Sequence, residues 1–155
     1  MSFRLVIIAL CLFVLVGFGV HWLRNHVTLS WNETESLPQT LFWVWKGEMP
    51  KRGDYVLFTP PPKIKSKYPF IKIVGGIGGD TIQVQNRIVV INQKTIGLAK
   101  TQSKRGQPLS PIAPCIIPPH HYFIYTKHRD SYDSRYQSIG LVPDTRIIGR
   151  ASPLF

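Results

Sequence analysis

The chain has 155 residues and a formal net charge of +11. That length suits one domain with a real core. The basic excess fits a domain lying near anionic lipid. It would also fit nucleic acid, but no helix-turn-helix, RNP or zinc-finger pattern occurs, so no nucleic-acid partner is expected.

The N-terminus runs from Phe3 to Leu23 with only Arg4 and His21 breaking an apolar stretch, and Leu5 to Val20 carries no charge. About 20 apolar residues match the bilayer core, which predicts a transmembrane helix. The stretch exceeds the h-region of a cleaved signal peptide, and His21-Trp22-Leu23-Arg24 offers no small-x-small cleavage site, so the segment reads as a retained anchor. The chain therefore divides into an anchor, residues 1–26, and a body, residues 27–155. Arg4 and the amino terminus on one side and Arg24 on the other give the positive-inside rule no vote on orientation.

Residues 24–40 read as a polar stretch leading out of the membrane. Strands are predicted at Leu41–Trp45 and Tyr55–Phe58, separated by a turn at Glu48–Asp54. Pro60-Pro61-Pro62 with Lys63, Lys65 and Lys67 reads as a basic, solvated loop. Phe70–Val74 is a strand that stops at Gly75-Gly76, where the Gly75–Asp80 segment permits a tight turn and close backbone approach. It is neither a phosphate loop, since no Gly-Lys-Ser/Thr ends it, nor a dinucleotide fingerprint, since no helix follows. Thr81–Val84 and Arg87–Ile91 flank Gln85-Asn86 as a hairpin. Residues 98–119 read as a long connection, and His120-His121 as a structural turn into a strand at Tyr122–Tyr125. A polar loop covers Lys127–Gly140, and a last strand covers Thr145–Arg150. Many short strands with Gly/Pro turns predict a mainly β, antiparallel body behind one helix. Cys11 lies in the anchor and Cys115 in the body, which argues against a disulfide between them. No Cys/His spacing suggests a metal site, and no cofactor is called for.

Lys72 is the unusual residue. Strand alternation puts it on one face with Phe70 and Val74. A lysine desolvated among such neighbours has a lowered pKa, and a neutral amine can act as a general base. On the strand alone, a lysine snorkelling from an edge strand to water is the favoured explanation, because charged residues are rarely fully buried. A lysine base needs a nucleophile. Ser36 is the serine that stands out, about a dozen residues beyond the anchor in Asn32-Glu33-Thr34-Glu35-Ser36-Leu37-Pro38. Pro38 pushes Leu37 out of helix space, which predicts an extended Ser36 segment suited to pairing with a substrate strand.

Four segments occur in order: Thr34-x-Ser36-Leu37-Pro38, Lys51–Phe58, Phe70–Asp80 and Asp130–Tyr136. This order resembles the conserved-box pattern of the type I signal peptidase family, the Ser/Lys membrane proteases, over roughly residues 30–150. The single anchor and the ending Ile147-Ile148-Gly149-Arg150-Ala151-x-Pro153-Leu154 resemble most the conjugative-transfer (TraF-type) branch. The resemblance implies Ser36 as acylating nucleophile and Lys72 as general base. It implies an oxyanion hole made by the Thr34 hydroxyl and the Ser36 backbone N–H. It implies Ser131 as the residue orienting the lysine amine, and Asp133 with Arg135 as a supporting ion pair; as an exposed pair these two would contribute little. Two departures stand out. Leu37 replaces the methionine frequent after the nucleophile, and Lys127-His128-Arg129-Asp130 stands where the family has Gly-Asp-Asn-Arg. The large inserted second domain of longer relatives has no room here.

The implied function is a membrane-anchored serine endopeptidase that cuts after small side chains. Its substrates would be signal peptides or pilin precursors, its partners protein substrates and the lipid membrane. Its implied location is the bacterial inner membrane, with the catalytic body on the periplasmic side. A general signal peptidase for secreted preproteins is the first alternative. A non-catalytic membrane-anchored assembly protein is the second, and a self-cleaving Ser/Lys repressor is disfavoured by the anchor.

Overall fold

A computed structural model describes residues 3–32 and 34–154. The uninterrupted apolar run forms one helix, α1 (Phe3–His26). At 1.5 Å per residue it is about 36 Å long, enough to cross a bilayer core of about 30 Å. None of its described side chains is buried against the rest of the chain. Arg24 and His26 fill its last turn, where cations complement the helix dipole. The helix passes without a linker into β1 (Val27–Trp31), and Lys46 Nζ donates to the Arg24 carbonyl at 2.9 Å.

The body is antiparallel throughout. The remaining strands are β2 (Leu41–Lys46), β3 (Tyr55–Phe58), β4 (Phe70–Gly76), β5 (Thr81–Gln85), β6 (Ile88–Ile91), β7 (Lys94–Leu98), β8 (Cys115–Ile116), β9 (His121–Tyr125), β10 (Val142–Pro143) and β11 (Ile147–Pro153). A seven-stranded sheet runs β1-β2-β11-β3-β4-β9-β10, and a four-stranded sheet runs β7-β6-β5-β8. The mainly β architecture behind one N-terminal helix is the one expected from the strand pattern.

Both faces of the large sheet are covered. Leu37, Phe42, Val44, Leu57, Ile71 and Ala151 form one cluster; Val56, Phe58, Val74, Ile124, Ile139 and Val142 form another. Each fully buried Phe or Val is worth about 1.5–3 kcal/mol relative to exposure. A third cluster, around Ile82, Val89, Ile91, Ile117 and Phe123, lies against the small sheet. Among the described glycines the tightest approach is at Gly149, where an added Cβ would sit 2.0 Å from the Trp45 carbonyl oxygen.

Several local expectations give way. The polar stretch 24–40 contains β1, an edge strand whose Val27/Leu29/Trp31 alternation is readable but short. The connection 98–119 contains β8, and β7 and β10 were not anticipated. Strand β4 continues through Gly75-Gly76 rather than stopping there. The glycines make room for the Tyr125 ring, which would lie 2.7 Å from a Cβ at position 75, and the ladder to β9 shifts register there. The β5–β6 turn falls on Asn86-Arg87, and Asn92-Gln93 makes the next one; all four residues have positive φ, as twisted two-residue hairpins require. Asp80 locks the turn after β4 by accepting from the Ile77 N–H at 2.8 Å and from Arg52 and Asn92 at 2.7 Å each. Burial pushes its carboxyl upward, but these bonds together with the Arg52 charge hold it below the ordinary carboxylate value.

Candidate active site

Lys72 sits at the middle of β4 with its Cα opposite that of Val56 on β3, and its side chain is 5% exposed. Strand β4 lies between β3 and β9 and not at a sheet edge, so the snorkelling explanation does not apply. Its Nζ lies 2.9 Å from Ser36 Oγ and 3.1 Å from Ser131 Oγ. Burial is the main cause that pushes its pKa from 10.5 down to about 8; the Asp133 charge opposes the shift and Arg135 adds to it. An amine near 8 is neutral in about a tenth of molecules at pH 7, far more than an ordinary lysine, with a lone pair able to accept the Ser36 hydroxyl proton.

Ser36 stands in the loop that joins β1 to β2, half-buried, with Leu37 anchored in the core beneath it. The segment is a tight turn, not the extended strand expected from Pro38. The cause is Asn32, which the sequence reading passed over. Its backbone N–H extends the β1–β2 ladder to the Thr40 carbonyl at 2.7 Å. Its side-chain amide then donates to the carbonyls of Thr34, Leu37 and Gln39 at 3.0, 3.2 and 3.0 Å. Its Oδ1 accepts from the Thr34 N–H at 3.2 Å and the Thr34 hydroxyl at 2.8 Å. One side chain thus draws the loop into a ring, in the manner of an Asx-turn. The signal for it was an Asn closing a strand two residues before a Thr-x-Ser. The Thr34 hydroxyl reaches Ser36 Oγ at 2.7 Å.

Ser131 belongs to the loop between β9 and β10. The loop is built on a buried ion pair, where a surface one of little consequence was the alternative. Arg135 Nε and Nη2 donate to the two carboxylate oxygens of Asp133 at 2.8 and 2.9 Å, with both side chains at most 3% exposed. Arg135 Nη2 also donates to the carbonyls of His128 and Ser131 at 3.1 Å each, and Asp133 accepts from the Thr126 N–H at 3.2 Å. Ser134 pins the same loop to β9, accepting from the Ile124 N–H at 3.0 Å. The Ser131 hydroxyl is thereby held by its own backbone and aimed at the amine.

These residues face a cavity of about 570 Å³ walled by Leu29–Asn32 on one side and Tyr68–Ile71 on the other. Ser36, Lys72, Thr34 and Ser131 converge there from three segments, while Asp133 and Arg135 lie behind Ser131. A hydroxyl beside a buried amine, with a second hydroxyl next to it, is an arrangement suited to acyl transfer.

A profile of the family described as signal peptidase, peptidase S26, matches residues 1–155. The chain belongs to this family. Among curated relatives, this signal peptidase family member is similar to the conjugal transfer protein TraF of Agrobacterium fabrum, at 29% identity over 146 residues, 80% of each chain. It is similar to signal peptidase I of Leptolyngbya laminosa, at 35% identity over 108 residues, 66% of this chain and 51% of the relative. It thus spans four fifths of the one and about half of the other. Among solved structures, the signal peptidase I of Enterococcus faecalis V583 aligns with a TM-score of 0.42 and 21% identity, covering 68% of this chain and 98% of that one.

Proposed function

We propose that this signal peptidase family member is a membrane-anchored serine endopeptidase that uses Ser36 as nucleophile and Lys72 as general base. The observation that carries the reading is the 2.9 Å approach of a buried amine, its pKa lowered to about 8, to the Ser36 hydroxyl. Neutral Lys72 takes the Ser36 proton as Oγ bonds to the scissile carbonyl carbon. The oxyanion that forms takes hydrogen bonds from the Ser36 N–H and from the Thr34 hydroxyl, which turns its proton from Asn32 Oδ1 to the oxyanion. As the C–N bond breaks, the lysine ammonium returns the proton to the leaving amine. Water then gives a proton to Lys72 and attacks the ester carbonyl. The proton passes to Ser36 Oγ as the acid product leaves. Ser131 keeps the amine directed at Ser36 through both steps, and Asp133 with Arg135 supports Ser131.

In this reading residues 1–26 anchor the chain in the bacterial inner membrane and the body from residue 27 works at its periplasmic face. The substrates are polypeptides with small side chains before the cut. Similarity extending over four fifths of a conjugal transfer protein supports a pilin precursor as substrate. Incubation of the full chain in detergent with pilin and preprotein substrates, followed by mass spectrometry, tests the proposal. Cleavage is expected after a small residue and is lost in Ser36→Ala; full processing by that variant refutes it. Similarity to signal peptidase I keeps general preprotein processing as the second reading. Complementation of a strain lacking its signal peptidase separates the two.

A further inference from the structure

A second cavity, of about 1250 Å³, opens beside the one that holds Ser36. Ser66, Phe70, Lys104, Asp130, Ser131 and Tyr132 line both, so the two form one continuous depression with Ser131 on the divide. The second cavity runs between the loop carrying Lys63 and Lys65 and the connection carrying Lys100, Lys104 and Arg105. Five cations therefore face it, against a single carboxylate, Asp130, among the described residues. Lys100 already takes up Asp130, and Lys104 is paired with Glu35. Lys63, Lys65 and Arg105 have no ion-pair partner among the described residues.

Cations gathered around a concavity focus a positive potential inside it. Phe70, Tyr132 and Tyr136 give the groove apolar walls among serine and glutamine side chains. Such a lining suits an extended polypeptide with intermittent carboxylates. A bilayer surface would meet the outer rim of the groove and leave its interior unfilled. We infer that the groove receives an Asp- or Glu-bearing segment of the substrate polypeptide adjoining the scissile bond. The protease then selects by charge beside the cut as well as by small side chains at it. This rests on the reading of Ser36 as the acylating residue.

The test uses the full chain in neutral detergent and peptides that share one cleavage site. They carry an acidic, a neutral or a basic flank, placed before or after the cut in separate series. In one series the acidic flank is expected to raise kcat/KM about tenfold over the neutral one, with the gain falling as salt screens it. In Lys65→Glu/Arg105→Glu the gain should vanish and the basic flank should become the preferred one, while the neutral peptide is cleaved as before. Flank charge without effect in both series, or an acidic preference that survives the double charge reversal, overturns the inference. So does a variant that loses binding only to anionic phosphatidylglycerol vesicles, which would assign the groove to lipid. If no peptide is cleaved at all, the reading of Ser36 has failed. The groove is then decided by binding of fluorescent acidic and neutral peptides to the Ser36→Ala protein and to the same protein with both charges reversed. Equal affinity for the two peptides refutes it.

Discussion

Lys72 Nζ and Ser36 Oγ approach to 2.9 Å from segments 36 residues apart in sequence. A strand buried on both faces holds the amine, and a turn closed on itself holds the hydroxyl. Ser36→Ala and Lys72→Arg should each lower cleavage by about a thousandfold or more, since members of a coupled catalytic unit fail together. Arginine keeps the charge but cannot lose its proton near neutral pH. Combining the two changes should cost little beyond either alone, measured as initial rates on one peptide.

With Lys72 as the proposed base, its lowered pKa makes activity depend on pH. The base must be neutral, so kcat/KM should rise through a pH near 8 and level off above it. The same shift bears on stability. In the unfolded chain the lysine binds a proton up to about pH 10.5; in the folded chain it releases it near 8. Its contribution is therefore complete above 10.5 and is lost as the pH falls through 8. At neutral pH the buried ammonium costs about 3 kcal/mol. Lys72→Met should be more stable than the parent at pH 7, with the gap closing toward pH 10.5. Unfolding titrations of both proteins across that range measure it.

Thr34 and Asn32 act on the same loop in different ways. Thr34→Val removes a hydroxyl donor and should lower kcat about a hundredfold with KM little changed, whereas Thr34→Ser retains activity. Asn32→Ala releases the carbonyls of Thr34, Leu37 and Gln39 and should lower kcat through misplacement of Ser36. Asn32→Asp, which keeps the acceptor for Thr34 but loses the donor to those carbonyls, should recover only part of that loss. Steady-state kinetics of the four variants separate donor from clamp.

Breaking the ion pair should cost more than removing it. Arg135→Met leaves the Asp133 carboxylate buried without its partner, a loss of about 3–5 kcal/mol, and the double change Asp133→Leu/Arg135→Met should recover part of it. Arg135 also holds down the Lys72 pKa while Asp133 raises it. Loss of Arg135 alone should therefore move the rise in the pH–rate profile upward. A profile that stays in place would show the pair to be structural only.

Much of this arrangement was legible in the sequence. The central strands are hydrophobic enough to announce themselves, and Lys72 is conspicuous because it interrupts one of them. The edge strands were not legible. Val27–Trp31 carries its polar residues, Thr28 and Ser30, on the partly buried side and exposes Leu29 and Trp31, so its alternation does not mark a core face, and Lys94–Leu98 is short, largely exposed and entered through a turn without glycine. The shape of the Ser36 loop was misread because Pro38 argued for extension, while the deciding force is a side chain four residues upstream of Ser36 folding back on the backbone. Long-range partners such as Arg52 on the Asp80 carboxylate, 28 residues apart, depend on tertiary placement, which local pattern does not encode.

The junction at His26–Val27 has a further consequence. Helix passes into strand with no slack, and Lys46 braces the joint from the neighbouring strand. Ser36 lies five residues past Trp31, the end of β1, so it stands at most about 33–36 Å, the fully extended span of ten residues, from the helix end. On the proposed reading as a membrane-anchored protease, the protein thereby carries a built-in ruler. A bond buried in lipid or far out in solution is out of register with it, however suitable its side chains. Flexible residues inserted at the junction would erase the graduations and leave a protease that still cuts free peptides but no longer measures where a membrane-bound chain should be cut.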